Sequence, residues 1–189
     1  MKFCSNCGSA ALALRVPDGD TLLRHVCAQC GTIHYQNPKI VVGCLPEWQG
    51  SVLLCKRAIE PRRGLWTLPA GFLENGETLA AGALRETLEE ADARVAIDGL
   101  YTVISLPHIN QIYVMFRSTL ADLDFGPGTE SLEVALVREE DVPWDQLAFR
   151  TITRTLRNYF LDRKLGSFPV HVSAIERRAA ARPEATGAA

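Results

Sequence analysis

The sequence predicts an α+β fold, or a mixed-sheet α/β sandwich, with a small cysteine-stapled module ahead of it. Three observations point there. Two Cys-x2-Cys hooks, Cys4/Cys7 and Cys27/Cys30, fall within the first thirty residues. Short apolar runs broken by Gly, Pro and Asn follow, too unevenly spaced for a doubly wound parallel sheet. Two segments, about 77–91 and about 145–164, read as helices.

The hooks are separated by nineteen residues, and Gly8 and Gly31 follow them. Paired hooks at roughly this spacing mark a tetrahedral Zn²⁺ site, with Cys4, Cys7, Cys27 and Cys30 as ligands. Two disulfide or redox pairs are the alternative. Four thiolates close the coordination shell, so the zinc is expected to be structural. So short a segment has little core of its own and needs the metal to fold. Cys44 and Cys55 sit in apolar runs and read as core residues.

Residues 1–35 are thus expected to form a zinc ribbon, 36–168 the main domain and 169–189 a partly disordered tail. Within the main domain, 38–46 and 51–57 read as strands of a hairpin turning at Gln49-Gly50. A strand is expected at 65–69, after the Arg62-Arg63-Gly64 loop. Strands at 94–106 and 110–120 meet near Pro107-His108, and 132–138 reads as another.

The 77–91 segment carries the chemistry. Its apolar residues recur at helical spacing, and Glu86, Glu89 and Glu90 share the other face. Carboxylates that close repel one another unless a hard cation such as Mg²⁺ binds them through oxygen. A solvated acidic stripe is the alternative. The lead-in, Trp66-Thr67-Leu68-Pro69-Ala70-Gly71 and then the Glu74-Asn75-Gly76-Glu77 turn, places that face after a sharp bend.

The spacing Gly71-x5-Glu77-x7-Arg85-Glu86-x2-Glu89-Glu90 resembles the Nudix box. Where the family's box continues with glycine, this chain has Asp92. The resemblance spans about residues 38–165 and implies a mixed sheet sandwiched between helices. It implies Mg²⁺ or Mn²⁺ held by Glu86, Glu89, Glu90 and the Ala70 carbonyl, with Arg85 orienting the carboxylates. The family implies attack by water on a phosphoanhydride. An additional carboxylate is expected from a later loop, either Glu130 or Glu133, with Glu133 preferred because a strand follows it. Glu77 is the weakest member, a helix N-terminal charge. Arg57 is a candidate for phosphate, and Trp66, Tyr113 and Phe116 for ring stacking, although core packing suits all three aromatics. His108 carries no assignment.

The chain lacks the Trp-Pro-Phe-Pro core of NADH pyrophosphatases and is similar to ribbon-bearing FAD and ADP-ribose pyrophosphatases. The implied substrate is nucleotide-like: FAD or ADP-ribose, cleaved to AMP plus FMN or ribose 5-phosphate. NADH, a nucleoside triphosphate, and a ribbon module with a ligand-sensing domain are the alternatives.

Composition sets limits. With 189 residues, 47% hydrophobic, and a net charge of −2, the chain suits one globular domain with an appendage rather than a broad nucleic-acid surface. The ribbon's cations, Lys2, Arg15 and Arg24, are few beside Asp18 and Asp20, so nucleic acid is not expected as a partner. No apolar run of membrane-spanning length occurs, and no secretory signal opens the chain. A cytoplasmic homodimer is expected.

Overall fold

A computed structural model describes residues 1–176. The chain divides into two compact units, Met1–Pro38 and Lys39–Ala189. The first therefore ends after Pro38 rather than after residue 35. It is a three-stranded antiparallel sheet of β1 (Leu12–Arg15), β2 (Arg24–Cys27) and β3 (Ile33–His34). Its buried residues are Cys4, Pro17, Val26, Cys27 and His34. So small a core cannot offset the entropy of ordering the segment without a covalent or metal staple.

The second unit is an eight-stranded mixed sheet. Its main path runs β10 (Ser131–Val137), β5 (Ser51–Arg57), β4 (Lys39–Trp48), β9 (Gln111–Leu120), β8 (Val95–Leu106), β11 (His171–Ala174). β4 pairs with β9, and β8 with β11, in parallel; the other pairs on this path are antiparallel. The β4–β5 hairpin turns at Gln49 (φ 49°) and Gly50 (φ 84°), the two positive φ values of a type I′ turn.

Side-chain alternation along these strands sends apolar residues to both faces. Val42, Cys44, Val114 and Phe116 pack with Ala83 of helix α1 (Leu79–Ala91). Leu45, Leu54, Tyr101 and Met115 pack with Ile152, Leu156 and Tyr159 of helix α2 (Arg150–Leu165). The sheet is therefore sandwiched between two helices. No described helix is long and apolar enough to cross a membrane.

Three segments depart from the sequence reading. The expected 65–69 strand is two short ones, β6 (Trp66–Thr67) on β5 and β7 (Ala70–Phe72) on β4. Pro69 between them has no N–H to continue a ladder. Helix α2 starts at Arg150, not 145: Trp144–Gln146 form a separate 3-10 turn, Leu147 and Phe149 are extended, and between them Ala148 donates its N–H to the Trp66 carbonyl (2.8 Å).

The tail expected from residue 169 instead supplies strand β11 at its start. Ile175 is buried beyond it, and the Asp162 carboxylate accepts from the Tyr101 hydroxyl (2.7 Å) and contacts His171 Nε2 (2.6 Å). The remaining tail, 177–189, lies outside the described residues.

Asp162 is 4% exposed, so its removal leaves a buried Tyr101 hydroxyl without its acceptor. Asp162→Ala is expected to lower unfolding free energy by about 1–3 kcal/mol in urea titration; an unchanged midpoint would show that this cluster adds nothing.

Candidate metal centres and active-site cavity

In the first unit the two hooks fold alike. Cys4 N–H donates to Ser9 O and Gly8 N–H to Cys4 O; Cys27 N–H donates to Thr32 O and Gly31 N–H to Cys27 O. Gly8 (φ 74°) and Gly31 (φ 72°) take the left-handed conformation that each turn requires. The four sulfur atoms lie within 4.8 Å of one another, with Cys4–Cys30 and Cys7–Cys27 at 3.6 Å. A disulfide needs about 2 Å. A tetrahedron of sulfurs about 2.3 Å from zinc has edges of about 3.8 Å. The donor set fits zinc.

In the second unit, helix α1 presents the acidic face. Thr78 caps its start, accepting from Ala81 N–H (3.1 Å). Asp92 ends it in the left-handed region (φ 46°), its N–H on the Leu88 carbonyl. Aspartate tolerates this conformation, so the helix end that glycine usually makes is retained.

Arg85 organises the carboxylates. Its Nε and Nη2 donate to Glu77 (2.7 and 3.0 Å), and its Nη1 to Glu86 (2.7 Å) and Glu89 (3.1 Å). The Arg85 hydrogen bonds hold the Glu77 carboxyl down at about 2. Glu77 also accepts from Glu74 N–H (3.1 Å), so it anchors Arg85 and the preceding turn more than it serves the helix dipole.

Glu90 is only 6% exposed and accepts from Ala70 N–H (3.1 Å). Burial first, then Glu86 and Glu130 nearby, raise its carboxyl to about 8 against that amide. Glu86 is also pushed up, mainly by burial.

Two glycines make this approach possible. A Cβ on Gly71 would lie 2.3 Å from Glu86 Oε2, and one on Gly128 1.7 Å from the Glu89 carbonyl oxygen. The 126–130 loop packs on the helix end, with Gly126 N–H on Ala91 O and Gly128 N–H on Glu90 O. These bonds satisfy helix carbonyls that would otherwise be orphaned. They also carry Glu130 to a cavity of about 1260 Å³ that Glu86, Glu89 and Glu90 line as well.

Arg57, Tyr113 and the start of α2 complete that cavity. Arg57 Nε donates to Pro61 O (2.9 Å), and its guanidinium lies 5.2 Å from the Phe149 ring centre.

Not every expected residue reaches the cavity. Glu133 does not line it: a bulge between Ser131 and Glu133 turns the side chain outward to Lys56 (3.3 Å), 54% exposed. The loop carboxylate at the cavity is Glu130. Trp66 is also absent from the lining, packed on the α2-side core with Lys56 5.5 Å from its ring centre. Phe116 is in the core, while Tyr113 and His108 line the cavity. Arg62, Phe149, Arg150 and Thr151 line it too, and the sequence reading did not single them out.

Among the described residues, the cysteine quartet is the one group with three or more ligand atoms this close together. Glu77, Glu86 and Glu89 are spread around the Arg85 guanidinium, with Glu90 apart on the Ala70 amide. Even so, their hard oxygen donors and the shielded Glu90 carboxyl suit a hard divalent cation.

A family described as Nudix N-terminal, a zinc ribbon, matches residues 2–36, and the NUDIX domain family matches residues 37–156. The crystal structure of a NUDIX hydrolase from Nitrosomonas europaea is 59% identical, with a TM-score of 0.90 over 94% of this chain and 100% of that one. An NAD-capped RNA hydrolase, NudC, from Photobacterium profundum is 30% identical over 71% of this chain and 48% of its own length. An ADP-ribose pyrophosphatase from Methanocaldococcus jannaschii is 36% identical over 39% of this chain and 43% of its own length. The chain spans about half the length of these curated relatives.

Purified protein is expected to carry about one zinc per chain by elemental analysis. Cys27→Ser should lose it, together with amide protection in β1–β3; full protection without metal would refute a structural zinc. In zinc-loaded protein without Mg²⁺ or Mn²⁺, the raised Glu90 carboxyl favours the folded state below its ordinary value of 4.5, and this contribution is lost as pH rises through about 8. Stability should therefore fall across that window, and less steeply in Glu90→Gln. Parallel curves for the two proteins would contradict the assignment.

Proposed function

Because the chain belongs to the Nudix hydrolase family, we propose that it is a metal-dependent pyrophosphatase acting on nucleoside-diphosphate-linked substrates. FAD or ADP-ribose is the first choice, cleaved to AMP plus FMN or ribose 5-phosphate. The observation that carries this reading is that the α1 carboxylates and Glu130 line one cavity with Arg57 and the start of α2. At about 1260 Å³ the cavity has room for a dinucleotide.

Glu86, Glu89, Glu90 and the Ala70 carbonyl would hold Mg²⁺ or Mn²⁺. When bound, such ions screen the diphosphate and acidify a water molecule. Arg85 keeps Glu86 and Glu89 pointed inward against their mutual repulsion. Glu130, the loop carboxylate on the cavity wall, replaces Glu133 as the group that takes the proton from the attacking water. The water oxygen bonds to one phosphorus, the bridging P–O bond breaks, and the bridging oxygen leaves with the other phosphate. Arg57, on the same wall, meets the diphosphate or its leaving half.

A second reading, an NAD-type dinucleotide free or joined to RNA, is favoured by the relatives named NAD-capped RNA hydrolase. The small number of cations in the ribbon favours the small-molecule form.

Turnover of FAD, ADP-ribose, NADH, NAD-capped RNA and nucleoside triphosphates with Mg²⁺ and Mn²⁺ tests the reading. AMP released from FAD or ADP-ribose supports it, while turnover of nucleoside triphosphates alone, with release of pyrophosphate, would overturn it. Glu86→Gln and Glu90→Gln are expected to lower kcat on the best substrate by about 10²-fold or more, with unchanged circular dichroism. Near-normal turnover in either variant would remove that residue from the site.

A further inference from the structure

The cavity extends beyond its acidic end. Helix α1 meets the sheet at β7, where the Ala70 N–H reaches Glu90, and β7 pairs with β4. β9 lies on the other side of β4, and β8 beyond it. At about 4.8 Å per strand, β9 stands about 10 Å from β7. The β8–β9 end of the cavity is therefore set apart from the glutamates and from Arg57 on β5.

The turn between these strands builds that end. β8 closes with Leu106, and Pro107–Ile109 form one 3-10 turn. Asn110 takes the left-handed region (φ 52°), its N–H on the Pro107 carbonyl, so β9 opens with Gln111 opposite Leu106. Lys39 N–H donates to Asn110 O (2.9 Å) and ties the turn to β4.

Leu106, His108, Ile109, Gln111 and Tyr113 all line the cavity. Leu106 and Tyr113 are buried and form a floor, Gln111 is half-buried, and Ile109 is 50% exposed. Ile175 braces the floor, packed in the same apolar cluster with its N–H on Ser105 O (2.9 Å). Residues 104–116 include no Asp, Glu, Lys or Arg. An uncharged, largely apolar wall with one amide suits a neutral planar ring rather than a phosphate.

The amide narrows the choice of ring. A glutamine side chain offers donor and acceptor side by side. Adenine presents the complementary pair, its N6 amino group and N7, whereas guanine presents two acceptors, O6 and N7. We propose that Gln111 reads the adenine edge of the substrate, with Ile109, Leu106 and Tyr113 against the ring. This rests on the pyrophosphatase reading for the diphosphate at α1, and names the base at the other end of the same molecule. Adenine is the group common to FAD, ADP-ribose and NAD-type dinucleotides.

The test has two arms. Calorimetry in Mg²⁺ compares AMP, GMP and ribose 5-phosphate, none of which has a diphosphate to cleave. AMP is expected to bind about tenfold more tightly than GMP, the effect of one amide–base pair. In Gln111→Leu the two should come within about twofold. In Ile109→Ala both should weaken about threefold relative to ribose 5-phosphate, with the preference for AMP kept. Both side chains reach solvent, so these variants leave the core intact. Equal binding of AMP and GMP by the wild type, or a preference that survives in Gln111→Leu, would overturn the assignment.

In the second arm, KM for ADP-ribose should rise about tenfold in Gln111→Leu with kcat within about twofold, because the base is held alike in ground and transition states. A fall in kcat at unchanged KM would contradict a seat for the base. Adenine-selective binding without hydrolysis of FAD, ADP-ribose or NADH would refute the pyrophosphatase reading and leave the seat standing. Hydrolysis of these substrates with base-indifferent binding would do the reverse.

Discussion

The second unit is built around the tolerance of one short helix for concentrated negative charge. Glu86 and Glu90 are largely removed from water, and Glu130 is brought towards them by a loop. Left alone, this arrangement repels itself. Arg85 is the internal counter-charge, spending its donors on Glu77, Glu86, Glu89 and the Phe72 carbonyl. A fixed guanidinium fork holds such a set where a flexible ammonium would not. The Glu90 carboxyl, beyond reach of that fork, has the Ala70 amide and is displaced furthest from its usual range.

The surroundings make the helix face possible. Its inner side packs through Ala83 and Ala91, small enough to bring the backbone close to the sheet. Gly71 and Gly128 leave space where any side chain would collide with Glu86 or with the helix backbone. The opposite sheet face is covered by α2, so the central strands β4 and β5 are buried on both sides and fix the loops at their ends. The cavity walls come from α1, the start of α2, strand ends and those loops, which is where rigid scaffolds place chemistry.

Much of this was legible in the sequence because it is local. The glutamate face, the cysteine hooks, the Gln49-Gly50 hairpin and the long β8–β9 pair follow from periodicity and turn chemistry, with no need for partners distant in the chain. What was not legible depends on such partners. Glu130 and Glu133 are three residues apart, and only the bulge in the β10–β5 pairing decides which faces the cavity. Four-residue β11 has no strong pattern of its own and exists because β8 and the Asp162–His171 contact hold it. The start of α2 is marked by a hydrogen bond from Ala148 to Trp66, more than seventy residues earlier, so the helix read from about 145 begins at Arg150.

The measurement closest to the central claim is anomalous scattering from crystals soaked in Mn²⁺. The account predicts manganese among Glu86, Glu89 and Glu90, with the Arg85 Nη1 contacts to Glu86 or Glu89 lengthened as the ion takes over their charge. Manganese found only elsewhere, with Arg85 still clamped to both carboxylates, would contradict it.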